Sequence, residues 1–113
     1  MKSLDQQVLG GLDRDMGGPE AVARIMTMYL GKLPKESLRL HELAGSGDMA
    51  GLSEQSHRMK SSTAMLGAIR LAEILAELEA AAKAGDAESV TACLSEYELE
   101  TTRVEREMKQ FVA

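Results

Sequence analysis

Two side chains that could do chemistry, His57 and Lys60, stand one helical turn apart in the stretch HRMKSSTAMLGA at 57–68. Residues three or four apart share one face of a helix, so the imidazole and the ammonium group are expected to point the same way. An exposed neutral imidazole is a competent nucleophile near neutral pH. The ammonium group would neutralise negative charge on whatever the imidazole carries. The pair therefore fits phosphorylation of a ring nitrogen, a reaction that asks the protein mainly for position and charge stabilisation.

Helix geometry gives this stretch two different faces. Leu52, Met59 and Leu66 recur every seven residues and lie opposite His57, which predicts a buried stripe. The face around His57 is predicted to be a shallow trough that admits another macromolecule to the imidazole. Its small residues, within about 40° of His57 on a helix, are Ala50, Ser53, Ser61 and Ala64. From spacing alone, an ordinary solvated polar face remains the alternative.

Glycine and proline divide the chain into segments of helical length. The breaks are GGPE at 17–20, GSGD at 45–48, Gly67, and KAGD at 83–86. Gly17, Gly47 and Gly85 are predicted to end helices in the left-handed conformation. Asp48 and Asp86 are predicted to cap the helices that follow them. Pro19 is predicted to occupy the first turn of a helix.

Between the breaks, apolar residues recur at steps of three or four, the pattern of amphipathic helices. Residues 3–15 predict a short first helix, and Pro34 predicts a kink or a local weakening of the helix over 19–45. No segment alternates with a period of two, so no sheet is expected. The sequence predicts an all-α protein, an antiparallel four-helix bundle with an additional short N-terminal helix. The expected core residues are Leu4, Val8, Leu12, Val22, Ile25, Met26, Tyr29, Leu33, Leu40, Leu71, Ile74, Leu75, Leu78, Ala82, Val90, Cys93, Tyr97, Thr101, Val104, Met108 and Phe111.

Composition narrows the classes of partner. The length of 113 residues predicts one domain over residues 1–113. A net charge of −5 argues against a nucleic-acid partner, which would require a basic face. No apolar run approaches the roughly 18 residues that span a bilayer, and the N-terminus lacks a signal-peptide pattern, so no membrane insertion is expected. A single cysteine, Cys93, excludes an internal disulfide and is compatible with a cytoplasmic location.

The stretch 57–68 resembles the signature of the histidine-containing phosphotransfer (HPt) domains, roughly His-x-Leu-Lys-Gly/Ser-Ser-x-x-x-Leu-Gly-Ala. His57 matches the phosphorylated histidine of that signature and Lys60 the lysine that assists the phosphoryl group. Met59 replaces the usual leucine, a volume-conserving change on the buried side. The stretch LAEILAELEAAAKAGD at 71–86 resembles the family's next helix and its Gly-Asp turn. The remaining matches are Ser61, Ser62, Leu66, Gly67 and Ala68.

The resemblance implies a phosphocarrier. His57 would accept a phosphoryl group from the phospho-aspartate of a receiver domain and pass it to the aspartate of another response regulator. The implied partners are receiver domains of response regulators and of a hybrid sensor kinase, which supply the Mg²⁺. This chain is expected to be a monomer without a cofactor or metal of its own, and without autokinase activity because it has no glycine-rich nucleotide loop. The residues expected to touch the partner are Ala50, Ser53, Glu54, Arg58, Ser61, Ala64 and Met65, with specificity expected from Glu54, Arg58 and Met65.

Three other classes of protein fit parts of the pattern. EQSH at 54–57 has the Glu-x-x-His spacing of di-metal bundles, which need a second such motif and two further glutamates. His41 lacks that motif and is expected at the surface. A dimerising phosphoacceptor domain of a sensor kinase would carry a proline shortly after the histidine and an adjoining ATP-binding domain. A helical scaffold or interaction domain would leave His57 without covalent chemistry. The starting Met1 and the whole set of helices favour a free-standing protein over a domain of a hybrid kinase.

Overall fold

A computed structural model describes residues 2–113 and contains five helices in that range, with no strand. Met1 lies outside the described residues. The long helices α2 to α5 are joined by short turns and pack as an antiparallel bundle, while α1 is a short addition that lies against α2. This arrangement confirms the predicted all-α bundle. The helices are α1 (Gln6–Met16), α2 (Pro19–Ser46), α3 (Met49–Met65), α4 (Ile69–Ala84) and α5 (Ala87–Val112).

The helix ends fall where glycine, aspartate and proline predict them. Gly17, Gly47 and Gly85 each follow a helix in the left-handed conformation. Asp48 accepts a hydrogen bond from the backbone N–H of Gly51 at 2.9 Å, and Asp86 accepts one from Ser89 at 3.2 Å. The aspartate caps satisfy backbone donors that the first turn of a helix leaves without partners. The chain is thus divided by local chemistry before any helix packs on another.

The core runs along the axis of the bundle and includes the predicted stripe of α3. Leu52 and Leu66 are fully buried and Met59 nearly so. Polar side chains are also buried on this helix, and those of Gln55, Ser56 and Thr63 are hydrogen-bonded. The Ser56 hydroxyl donates to the carbonyl oxygen of Leu52 at 2.8 Å, and the Thr63 hydroxyl lies 2.7 Å from the Tyr29 hydroxyl of α2. The buried face of α3 therefore fixes the direction in which the opposite face, with His57, must point.

α2 runs through Pro34 as one helix, with the buried residues Leu33 and Leu40 on either side of it, and the kink or local weakening expected there stays a prediction. Two expectations about buried residues need correction. Phe111 lies in the last turn of α5 and is 38% exposed, since the bundle offers little surface to cover it there. Cys93 is only partly buried at the edge of the core. Across residues 2–113, no helix is both long and apolar enough to cross a membrane.

The turn between α3 and α4 is joined to the start of the chain through Gly67. Its backbone has φ +84°, and its carbonyl oxygen accepts a hydrogen bond from the N–H of Asp5 at 2.7 Å. A Cβ at this position would lie 3.1 Å from the carbonyl oxygen of Asp5. Ser3 and Leu4 in turn donate backbone N–H bonds to the carboxylate of Glu107, at 2.6 and 3.0 Å. The first residues are therefore held against both the α3–α4 turn and α5.

We expect Gly67→Ala to destabilise the protein more than Gly85→Ala. Both glycines have positive φ, which costs an alanine about 1–2 kcal/mol. At Gly85 nothing lies within 4 Å of the added Cβ, whereas at Gly67 the Cβ presses on the backbone of Asp5. Urea unfolding of both variants measures the difference. Equal losses in the free energy of unfolding would mean that the junction with residue 5 adds no constraint.

Candidate functional site

His57 lies in the middle of α3, on the face opposite the buried stripe. Its side chain is 68% exposed, although both helical neighbours toward the core, Ser53 and Ser56, are buried. This exposure confirms the prediction, made from helical spacing, that the imidazole of His57 faces solvent. The histidine is therefore accessible to another macromolecule while its backbone belongs to a well-packed helix.

A carboxylate from the neighbouring helix holds His57 and two lysines together. Glu79 of α4 accepts a hydrogen bond from His57, with Nδ1 3.1 Å from Oε2. Its other oxygen, Oε1, lies 2.6 Å from Nζ of Lys60, and Oε2 lies 3.1 Å from Nζ of Lys83. The Glu79 side chain is only 10% exposed, so these three groups supply most of what water would otherwise provide. We call His57, Lys60, Glu79 and Lys83 the Glu79 cluster.

The two lysines keep Glu79 ionised. The hydrogen bond and charge of Lys60, helped by Lys83, lower the pKa of Glu79 from 4.5 to about 2, against the opposing effect of burial. At neutral pH Glu79 can then only accept hydrogen bonds. Nδ1 of the neutral His57 ring must therefore carry the proton, which leaves the lone pair on Nε2. The cluster therefore favours the tautomer whose free nitrogen is Nε2, the ring nitrogen that does not face Glu79.

The other residues predicted to meet a partner lie along the same face, with one difference in burial. Ser53, Glu54 and Arg58 line a groove between α3 and α4 together with His57, Glu79 and Lys83. Glu54 and Arg58 are exposed, but Ser53 is buried and forms the floor of the groove rather than its rim. The remaining predicted residues are Ala50 and Ser61, which are exposed, Ala64, which is half-buried, and Met65, which is 45% exposed. No large side chain stands over the imidazole in this set.

Sequence reasoning missed Glu79 and Lys83. It placed Lys60 on the solvent side but did not predict its ion pair with Glu79, in which the Lys60 side chain is 31% exposed. A signal was present, because Glu79 lies four residues after Leu75 and three before Ala82, both predicted to be in the core. A carboxylate on such a stripe requires a buried partner. The partner, however, lies on another helix, and no local pattern identifies it.

His41 and the alternative metal site can be described from the same coordinates. His41 is exposed as expected, and its Nε2 lies 2.6 Å from Oε1 of Glu98. Glu54 and His57 line one groove. In the part of the chain that the structure covers, residues 2–113, no three or more histidine, cysteine, aspartate or glutamate side chains are grouped so as to hold a metal ion.

Comparison with known proteins gives one consistent answer. The family model described as "Hpt domain" matches residues 24–111. The phosphorelay protein LuxU of Vibrio harveyi is 36% identical over 81 residues, which is 72% of this chain and 70% of LuxU. The crystal structure of histidine-containing phosphotransfer protein B (HptB) from Pseudomonas aeruginosa PAO1 superimposes with a TM-score of 0.87 at 27% identity, covering 96% of this chain and 92% of HptB. The chain therefore belongs to the Hpt domain family and is a histidine phosphotransfer carrier of a multistep phosphorelay.

Proposed function

We propose that Nε2 of His57 is the atom that carries the phosphoryl group. The observation that supports this most strongly is the hydrogen bond from Nδ1 to an ionised Glu79, since it leaves the Nε2 lone pair free on a 68% exposed ring. Within residues 2–113, Nε2 makes no hydrogen bond that would have to break before attack. The helix holds the ring in place before the partner arrives, which reduces the entropic cost of transfer.

In the proposed transfer, the Nε2 lone pair of His57 attacks the phosphorus of a receiver's aspartyl phosphate. The N–P bond forms as the bond between phosphorus and the carboxylate oxygen breaks, and the aspartate leaves with the bonding electrons. Nδ1 keeps its proton, and the positive charge that develops on the ring faces the Glu79 carboxylate. The reverse sequence of steps delivers the phosphoryl group to the aspartate of a second response regulator. Mg²⁺ belongs to the receiver in this proposal, and the chain has no autokinase activity of its own.

Lys60 is proposed to serve both Glu79 and the phosphoryl group. Its Nζ lies 2.6 Å from Glu79 and its side chain is 31% exposed, on the same side of α3 as His57. A lysine carries three N–H donors in a flexible side chain, so an ammonium group bonded to Glu79 retains donors for phosphoryl oxygens. Lys83, 67% exposed beside the same carboxylate, can hold Glu79 while Lys60 turns toward the phosphoryl group.

The receiver is proposed to dock over the shallow face around His57, in contact with Ala50, Ser53, Glu54, Arg58, Ser61, Ala64 and Met65. The small residues allow the aspartyl phosphate to reach Nε2, and the larger exposed ones contact the rim of the receiver. We also propose that the carrier acts as a monomer in the cytoplasm, in keeping with its one cysteine, Cys93. The source of the phosphoryl group is proposed to be the receiver of a hybrid sensor kinase.

We expect His57→Gln to abolish labelling without unfolding the protein. The imidazole is mostly exposed and contributes little packing, so the melting temperature should change little. The assay mixes each protein with receiver domains phosphorylated by radioactive acetyl phosphate and measures acid-labile, alkali-stable label. His41→Gln is the matched control and should label normally. Label that persists in His57→Gln, or that disappears in His41→Gln, would contradict the assignment of His57 as the phosphorylated residue. It would then favour the alternative of a helical scaffold in which His57 has no covalent chemistry.

We expect Glu79→Gln to slow transfer roughly tenfold or more, because a neutral amide no longer forces one histidine tautomer. It should also alter acid stability. A folded-state pKa of about 2, below the ordinary 4.5, means that Glu79 stabilises the fold above 4.5 and loses this contribution as pH falls toward 2. Urea unfolding across that range should show a smaller decline in the variant than in the wild type. An unchanged transfer rate would contradict the role of Glu79 in fixing the histidine tautomer. A pH profile of stability equal to that of the wild type would show that the ion pairs of Glu79 do not stabilise the fold.

We expect Ala64→Trp to block transfer while the bundle stays helical. Ala64 is half-buried, two turns beyond His57 on the same face, so an indole there would hold a receiver away from Nε2. Ala92→Trp, at an exposed alanine of α5, is the matched control for a large surface substitution. Circular dichroism checks folding, and the labelling assay measures transfer. Normal transfer by Ala64→Trp would place the docking surface elsewhere.

A further inference from the structure

A second groove, on the other side of α3, has four positive side chains and one negative one. It runs between α2 and α3 and is lined by Lys32, Lys35, Glu36, Arg39, Gln55 and Arg58; we call it the basic groove. Three of its cations recur on α2 at steps of three and four residues, so they form one stripe. Such a concentration of positive charge is unexpected in a chain whose net charge is −5.

The cations of the basic groove form no ion pairs with the carboxylates of the described residues. Throughout residues 2–113, no carboxylate lies within ion-pair distance of Lys32, Lys35 or Arg39. Arg58 donates to the neutral side chain of Gln55, with Nη2 2.6 Å from Oε1. The cations of α4 and the Glu79 cluster differ in this respect, because they are paired: Lys60 and Lys83 with Glu79, and Arg70 with Glu73, Glu77 and Glu96.

The basic groove adjoins the reactive histidine. Arg58 lines both this groove and the groove that contains His57, so the two are separated only by the ridge of α3. The antiparallel register brings Tyr29 of α2 beside Thr63 of α3, and Lys35 beside Arg58. A partner seated on His57 and extending over α2 would therefore meet Lys35 first.

Two exposed methionines, Met28 and Met65, lie beyond the Lys32 end of the basic groove. Met28, one turn before Lys32 on α2, is 64% exposed, and Met65 at the end of α3 is 45% exposed. Since Tyr29 is level with Thr63, these two methionines lie at a similar height along the bundle. Methionine adapts its shape to different partners. Methionine and arginine are both enriched at protein interfaces, which fits a docking role for this surface.

From this geometry we infer that the basic groove extends the docking surface of His57 and selects receiver domains that carry carboxylates beside their phospho-aspartate. The inference rests on the proposed function of His57. Charge complementarity supports a protein partner, because the basic groove gathers four cations next to the groove of His57, while the net charge of −5 would repel a nucleic acid. Exposed charges of this kind mainly increase the rate of association and discriminate among partners.

The test uses Lys35→Glu/Arg39→Glu and two receiver domains from the same organism, one acidic and one basic on the face around its phospho-aspartate. Both receivers are labelled with acetyl phosphate. Arg106→Glu/Lys109→Glu on α5 is the matched control, since it changes net charge equally and its residues line neither groove. Wild-type protein should take label faster from the acidic receiver, and the α2 reversal should slow that reaction about tenfold or more at low salt. The reversal should also shift preference toward the basic receiver.

Salt provides the second readout. At about 0.01 M salt the Debye length is about 30 Å, and at about 1 M it is about 3 Å, so the difference between wild type and the α2 reversal should largely disappear at high salt. Equal rates for wild type and the α2 reversal at low salt would overturn the inference while leaving His57 transfer intact. An equal effect of the α5 control would also overturn it, because net charge alone would explain the result. Failure of every phosphorylated receiver to label wild-type His57 would overturn the proposed function as well. A nucleic-acid duplex that binds wild type but not the α2 reversal, with unchanged receiver rates, would assign the groove to that ligand instead.

Discussion

Burial of a single carboxylate between two helices sets the constraint around which the site is built. A charge at the position of Glu79 is costly unless it is paired and hydrogen-bonded. The imidazole of His57 and the ammonium groups of Lys60 and Lys83 satisfy it, and each is positioned by doing so. The same contact that stabilises α4 against α3 therefore fixes the histidine tautomer. The ionised side chain of Glu79 thus both joins the two helices and orients the reactive histidine.

The proposed sharing of Lys60 between Glu79 and a phosphoryl group would have an energetic consequence for a carrier. A phosphohistidine that was held very tightly would be a poor donor to the next aspartate, because interactions that stabilise only the phosphorylated state must be given up on transfer. In the proposed function, Lys60 turns toward the phosphoryl oxygens while Lys83 holds Glu79, so the new contacts replace part of the 2.6 Å ion pair of Lys60 with Glu79. Such an exchange would keep the phosphorylated and free states closer in free energy than an unpaired lysine would.

Local chemistry in the sequence was enough to predict the helix ends and the direction of His57. Asp48, Asp86 and the left-handed glycines act within a few residues of their own positions, and the stripe of Leu52, Met59 and Leu66 follows from helix period alone. Tertiary contacts were beyond that reasoning. Glu79 meets its partners from another helix, and the basic groove appears only when α2 and α3 lie side by side.

The two surfaces beside α3 belong to different helices, and this division has an evolutionary consequence. The outward residues of α2 are exposed and support neither the core nor the Glu79 cluster, so substitutions there cost little stability. Duplicated copies of such a gene could accumulate changes along α2 while α3 and α4 kept the reactive side chains intact. New signalling routes could then separate from old ones through surface charge alone, with no intermediate in which the carrier lost its activity.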